Sequence, residues 1–169
     1  PENDALSSLN GGPPNGTWQL EIQDDGNNDG GQLNQWSVIV TTDVVTLPPP
    51  VNYCTSSPNS VGLGAVMTWS GSTSYAANDL MLVADFGAIN QTGLFYYGSQ
   101  QISVPFGNGV RCVGGTTDRL NPPVFSDVFG RFERPLDFLA PPMSGGTGLV
   151  LPGMTFNAQC WYRDPNGGG

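Results

Sequence analysis

The sequence predicts an all-β protein made of two β-sandwich or jelly-roll modules joined by a proline-rich linker. Three observations carry this reading. Apolar and polar residues alternate with a period of two in several short segments. The 24 Gly and 15 Pro make up almost a quarter of the 169 residues, which penalises helices and favours short strands joined by tight turns. No segment repeats its apolar residues with a period of 3.6 over a helical length.

Residues 1–46 form the first module. In Thr17 to Gln23 the alternation places Trp18, Leu20 and Ile22 on one strand face, and in Leu33 to Val40 it does the same for Trp36, Val38 and Val40. Between them lie Asp24, Asp25, Gly26, Asn27, Asn28, Asp29, Gly30 and Gly31, all turn formers. The unit reads as two antiparallel strands with a long acidic loop. Such a pair is marginal in water on its own, because independent stability takes three or more strands or a packing partner. The first module is therefore expected to lean on other domains of the same polypeptide, or on a neighbouring copy that adds a strand to an open edge.

Residues 47–51 are the linker. Pro48, Pro49 and Pro50 have no N–H to give to a ladder and favour extended polyproline geometry. Residues 52–169 form the second module, with strands expected at 65–69, 79–84, 93–97, 101–106, 111–113, 132–138 and 154–162. The last alternates best, with Met154, Phe156, Ala158, Cys160 and Tyr162 on one side. Turns rich in Gly, Pro and Asn separate these segments, the pattern of a sandwich or jelly roll.

Charge narrows function. The formal net charge is −9, and the basic residues are Arg111, Arg119, Arg131, Arg134 and Arg163, so every side chain before Arg111 is neutral or acidic. Binding to a phosphate backbone needs clustered Lys and Arg, and nucleic acid is excluded as a partner on that ground. No apolar run reaches the ~18 residues needed to span a bilayer. Cys54, Cys112 and Cys160 lack C-x-x-C spacing and have no His to join them, which argues against zinc. They read as one disulfide pair plus one odd thiol, with the pairing open. The low charge and the abundance of Ser, Thr, Asn and Gln suit an extracellular or cell-surface protein.

Histidine and lysine are both absent. Nucleophilic hydrolysis by Ser-His-Asp, Cys-His or Ser-Lys arrangements therefore has no base, and the chain is predicted not to be an enzyme. The acid pairs Asp79/Asp85 and Glu133/Asp137 have the residue types for glycoside cleavage, but acids so placed are more commonly strand-end and surface residues. Trp69, Tyr75, Tyr96, Tyr97, Trp161 and Tyr162 could form a glycan-stacking platform if several faced solvent; strand alternation places most of them in the core. Asp25-x-Asn27-x-Asp29-Gly30 has the spacing of calcium loops, in which alternate side-chain oxygens converge and Gly allows the sharp bend. It nominates Asp24, Asp25, Asn27 and Asp29 as Ca²⁺ ligands. Trp36 stands where an EF-hand needs Glu, leaving a calcium-binding β-loop or a solvated polar turn.

The stretch from Leu9 to Trp18 (L-N-G-G-P-P-N-G-T-W), followed in order by Asp24-Asp25, Asp29-Gly30-Gly31-Gln32-Leu33 and Asn34-Gln35-Trp36, resembles the closing half of the P domain. That β-sandwich module follows the catalytic domain in kexin- and furin-type subtilisin-like proprotein convertases and occurs in many secreted bacterial proteins. The resemblance covers residues 1–43. It implies a non-catalytic accessory role beside a protease domain, with the earlier half of the module missing. Residues 52–165 resemble a second module, found near the C-termini of large secreted bacterial proteins, planctomycete and myxobacterial ones in particular. Asn52-Tyr53-Cys54-Thr55, Ala77-Asn78-Asp79-Leu80, Gly93-Leu94-Phe95-Tyr96-Tyr97-Gly98, Phe106-Gly107-Asn108-Gly109-Val110-Arg111-Cys112-Val113-Gly114-Gly115 and Trp161-Tyr162-Arg163-Asp164-Pro165 carry that likeness. It implies a further strand beyond Pro165 and no defined activity. Together these readings predict a structural or accessory region of a larger secreted protein that packs or assembles into a fibre or surface layer. The alternatives are a calcium-stabilised adhesion or glycan-binding module and an accessory fragment of a subtilisin-like protease.

Overall fold

The computed structural model describes residues 48–167 and, before them, the single positions Gln19, Gln32, Gln35 and Ser37. The chain divides into two compact units, Pro1–Thr46 and Leu47–Gly169. The strands expected around Trp18 and Trp36 lie outside the described residues.

The second unit is a β-sandwich. Its strands are β1 (Val66–Ser70), β2 (Met81–Asp85), β3 (Thr92–Phe106), β4 (Gly109–Arg119), β5 (Val124–Phe125), β6 (Phe132–Pro135) and β7 (Asn157–Tyr162), with a 3-10 turn at Gly146–Gly148. One sheet has the order β1-β2-β6; in the other, β3 is flanked by β4 and β5 along one edge and by β7 along the opposite edge. All these pairings are antiparallel. Alternation decides which residues enter the common core, although Val83, between Leu82 and Ala84 on β2, is buried as well. Leu82 and Ala84 of β2 and Phe132 of β6 meet Phe95 and Tyr97 of β3 in a common core, closed by Leu80, Leu120, Leu136, Phe138, Met143 and Val150. On β7 the expected face is confirmed for Ala158, Cys160 and Tyr162, which pack against that core together with Phe156 just before the strand, whereas Met154 is exposed.

Phe132 has no solvent exposure, and two glycines explain how its ring fits. A Cβ at Gly87 or Gly93 would stand 2.6 or 2.7 Å from the ring. Glycine therefore lets β3 and the Phe86–Gln91 loop close on an aromatic from the other sheet.

β3 merges two segments expected as separate strands, 93–97 and 101–106. Register shifts between Gly98 and Gln100 and between Gln101 and Val104 bend the strand without ending it. β4 likewise runs through Gly114 and Gly115, which read as a turn in the sequence; Gly115 takes φ +75° at this bend. The far half of the hairpin, residues 101–113, becomes an arm. Gln159 projects from the outer face of the β3–β7 sheet, opposite the core. Its Oε1 accepts from the Cys112 N–H (2.8 Å) and the Tyr96 hydroxyl (2.7 Å), and its Nε2 donates to the Val110 carbonyl (2.7 Å). The arm is thus turned back over the outer face of its own sheet. Cys54 and Cys112 form a disulfide, and the Tyr53 hydroxyl donates to the Cys112 carbonyl (2.7 Å). The odd thiol is Cys160, on the core side of β7.

Candidate functional site

The calcium-ligand candidates Asp24, Asp25, Asn27 and Asp29 lie outside the described residues. The carboxylates of the second unit are regrouped by the fold. Asp79 and Asp85 flank β2, six residues apart, which on a strand is roughly 20 Å; glycosidase carboxylates stand about 5 to 10 Å apart. Asp85 and Glu133 instead share Arg131, at 3.5 and 2.8 Å. At the opposite end of β2, Asp79 accepts the Ser72 N–H (3.0 Å) and Asp137 accepts from Asn78 Nδ2 (2.9 Å) and the Leu139 N–H (2.9 Å). The Asn78 and Leu139 bonds lower the Asp137 pKa from its ordinary value. Each of these acids has a structural hydrogen-bonding or ion-pairing task at a strand end.

The aromatics are dispersed. Tyr97 is buried and Tyr75 stacks on Phe138 at 5.2 Å. Tyr162 leans on Phe132 and receives a bond from Asn59 (2.9 Å). Tyr96 is tied to Gln159, and burial raises its phenol pKa. Trp69 and Trp161 are partly exposed, but they stand on different sheets.

A group of exposed large apolar residues lies around the β2–β3 and β5–β6 connections, at one end of the sandwich. Phe86 and Phe129 are 67% and 82% exposed, and each sits one residue from the main-chain bond Gly87 N–H to Gly130 O (2.9 Å). Ile89 and Val128 are exposed on the same two connections, and Phe125 at the end of β5. The two loops are braced to each other. The Ser126 N–H donates to Gln91 O (2.9 Å) and its hydroxyl to Ala88 O (2.7 Å). Asp127 Oδ1 accepts the N–H groups of Phe129 (2.8 Å) and Arg131 (2.9 Å), which fixes the turn that carries Phe129. Phe86 holds φ +62°, a region that is costly for a bulky side chain.

Beside this surface, Asp164 Oδ2 accepts the Ser60 N–H (2.7 Å) and Oδ1 the Gly167 N–H (3.1 Å). Desolvation opposes ionisation of Asp164, yet the bonds from Ser60, Gly167 and Asn166 leave its pKa below the ordinary value. Sequence reasoning missed the exposed loop residues. The available signal was an apolar residue inside a turn: Phe86 between Asp85 and Gly87, and Val128-Phe129 between Asp127 and Gly130.

Among the described residues, no three His, Cys, Asp or Glu side chains are grouped to hold a metal ion, and no helix is long and apolar enough to cross a membrane. No curated protein and no solved structure matches the chain. The comparisons give no support to the resemblance of residues 52–165 to a module of large secreted bacterial proteins. Residues 3–40 match the family described as the proprotein convertase P-domain, an accessory, non-catalytic β domain.

Proposed function

We propose that this chain is a non-catalytic accessory region of a larger extracellular protein, and that it works by packing against other domains of that polypeptide or against a second copy of itself. The observation that carries this reading is the P-domain match at residues 3–40, because that family's role is to accompany a catalytic domain. Of the parent proteins open to such a module, a subtilisin-like protease is the one the match favours. The absence of His and Lys from the sequence supports a region that leaves the chemistry to a neighbour. The exposed Phe86 and Phe129 support contact with another protein surface, since aromatic side chains carried on a braced backbone dock without the cost of ordering a loop. The β1 strand, which among the described strands pairs with β2 alone, supports strand addition as a second mode of contact.

Sedimentation velocity on the intact chain over a wide concentration range tests self-association. The expected result is a concentration-dependent oligomer that the double substitution Phe86→Ser/Phe129→Ser converts to monomer. A monomer at every concentration would remove self-association and leave intramolecular packing, which co-expression with the upstream domain of the parent gene would measure as protection from proteolysis.

The acidic loop is proposed to hold Ca²⁺ through Asp24, Asp25, Asn27 and Asp29, on the strength of its D-x-N-x-D-G spacing. Chelation is then expected to lower a thermal unfolding midpoint, and an unchanged midpoint on chelation rules the site out.

A further inference from the structure

Away from the Phe86 loops, β4 and the 147–156 segment enclose a cleft of about 250 Å³, lined by Tyr97, Ser99, Thr116, Asp118, Thr147 and Met154 among others. Its floor is fixed by the fold. Asp118 is the cross-strand partner of Tyr97, so both point toward the core side of the sheet. The Tyr97 hydroxyl donates to the Gly148 carbonyl (2.5 Å), and Asp118 Oδ1 accepts from the Thr147 hydroxyl (3.0 Å). Gly148 makes this closeness feasible: a Cβ there would lie 2.4 Å from the Tyr97 hydroxyl and 3.0 Å from the Asp118 carboxyl carbon. The wall carries the hydroxyls of Ser99, Thr116 and Thr155 on one hand, and Leu149, Met154 and Phe156 on the other. Leu149 and Met154 are 39% and 55% exposed, so the apolar side faces the opening.

We propose that this cleft binds one unit of a neutral carbohydrate chain, with Asp118 accepting from sugar hydroxyls and Met154 and Leu149 covering the C–H face of the ring. Three features select that chemistry. The lining holds a carboxylate and no Arg, so phosphate, sulfate and uronate groups are repelled. One carboxylate is too few oxygen charges for a dedicated divalent-cation site. A volume of about 250 Å³ lies below the ~300–1,000 Å³ of sites that enclose drug-sized ligands, which suits a single ring of a longer chain lying across the opening. The carboxylate on a pre-bonded floor is already oriented, so it loses little freedom when a ligand arrives. This site is independent of the accessory reading, because it lies on β3, β4 and the segment before β7, away from the Phe86 and Phe129 loops.

Nuclear magnetic resonance titration of the intact chain tests it, using cellotetraose, chitotetraose and mannotetraose as probes and tetragalacturonate as the charged comparison. Saturable shifts of the Gly98, Ser99, Thr147 and Gly148 amides by at least one neutral tetrasaccharide are expected, with millimolar affinity, and none by tetragalacturonate. Asp118→Asn is expected to weaken binding at least fivefold while the remaining strand resonances stay in place. Met154→Glu alters a side chain that is 55% exposed and whose one hydrogen bond is from the Leu151 N–H to its sulfur; it is expected to abolish binding by closing the apolar side, with unchanged strand resonances showing that the fold is kept. Absence of shifts with all three neutral probes, equal binding of tetragalacturonate, or unchanged affinity in the Met154→Glu protein would each overturn the proposal.

Discussion

The two halves of the β3–β4 hairpin belong to the same pair of strands and are held by opposite means. The near half, around Phe95 and Tyr97, is fixed by burial: Phe95 is fully enclosed, and β7 covers the other edge of β3. In the arm, residues 103–109 are all exposed or nearly so; beyond Val113, which is buried at its base, the arm is tied down by Gln159, Tyr53 and the Cys54–Cys112 disulfide. A strand can therefore leave the core and still be ordered, provided polar and covalent ties replace the apolar contacts it has given up. The register shifts around Gly98 to Val104 mark where one regime passes into the other.

Substitutions that attack each regime separately sharpen the contrast. Phe95→Ala empties the centre of the core and is expected to cost about 3–5 kcal/mol, read as a lower urea midpoint for the whole second unit. Cys112→Ser opens a closed loop whose ends are 58 residues apart in sequence and is expected to cost about 2–4 kcal/mol. Amide exchange should then speed up in residues 101–113, while 92–97 keep the protection of the global fold. If both halves lost protection equally, the arm would not be a separate regime. Gln159→Leu leaves the Cys112 N–H, the Val110 carbonyl and the Tyr96 hydroxyl without their partner, a loss of about 1–3 kcal/mol. It should be confined to the arm when followed by the same exchange experiment.

The gentlest probe is pH, and it addresses the near half. Burial pushes the Cys160 thiol up to about 12 from 9.0, and burial with the neighbouring Asp118 carboxylate pushes the Tyr97 phenol up to about 12 from 10.0. Both groups hold their protons more tightly in the folded chain than in the unfolded one. Their contribution is complete below pH 9 and declines as pH rises toward 12, by at most about 1.4 kcal/mol per pH unit for each group. Denaturant midpoints should therefore be flat from pH 7 to 8.5 and fall above it. At pH 8 Cys160 should react with a thiol reagent only after unfolding. Rapid reaction in the native protein would mean that the core side of β7 is open.

The near half was more legible in the sequence than the arm, for a physical reason. Alternation reports which residues face a core, so Phe156, Ala158, Cys160 and Tyr162 beside the near half could be assigned from their spacing, and the 93–97 segment could be recognised as a strand. The bend at Gly98, Gly114 and Gly115 has the composition of a turn, and composition does not distinguish a strand that stops from one that bulges and continues. β5 was missed because two residues after Pro122-Pro123 show no period at all. The regrouping of Asp85 with Glu133 around Arg131 was invisible for a related reason. It follows from the β2–β6 register, which pairs Val83 with Glu133, and register is a property of two strands rather than of one. The exposed Phe86 and Phe129 were hidden because a sequence pattern registers an aromatic as core unless its backbone is known to be in a turn.

The Cys54–Cys112 link also sets the route that tension would take through the second unit. A pull delivered along Pro48-Pro49-Pro50 reaches Cys54 and passes straight into β4 through the sulfur bridge. The intervening span, with β1, β2 and all of β3, is out of the line of force. The load continues from Cys112 along β4, which runs on to Arg119. The bridge makes the most deeply packed part of the sandwich the last to feel a load applied at its entrance.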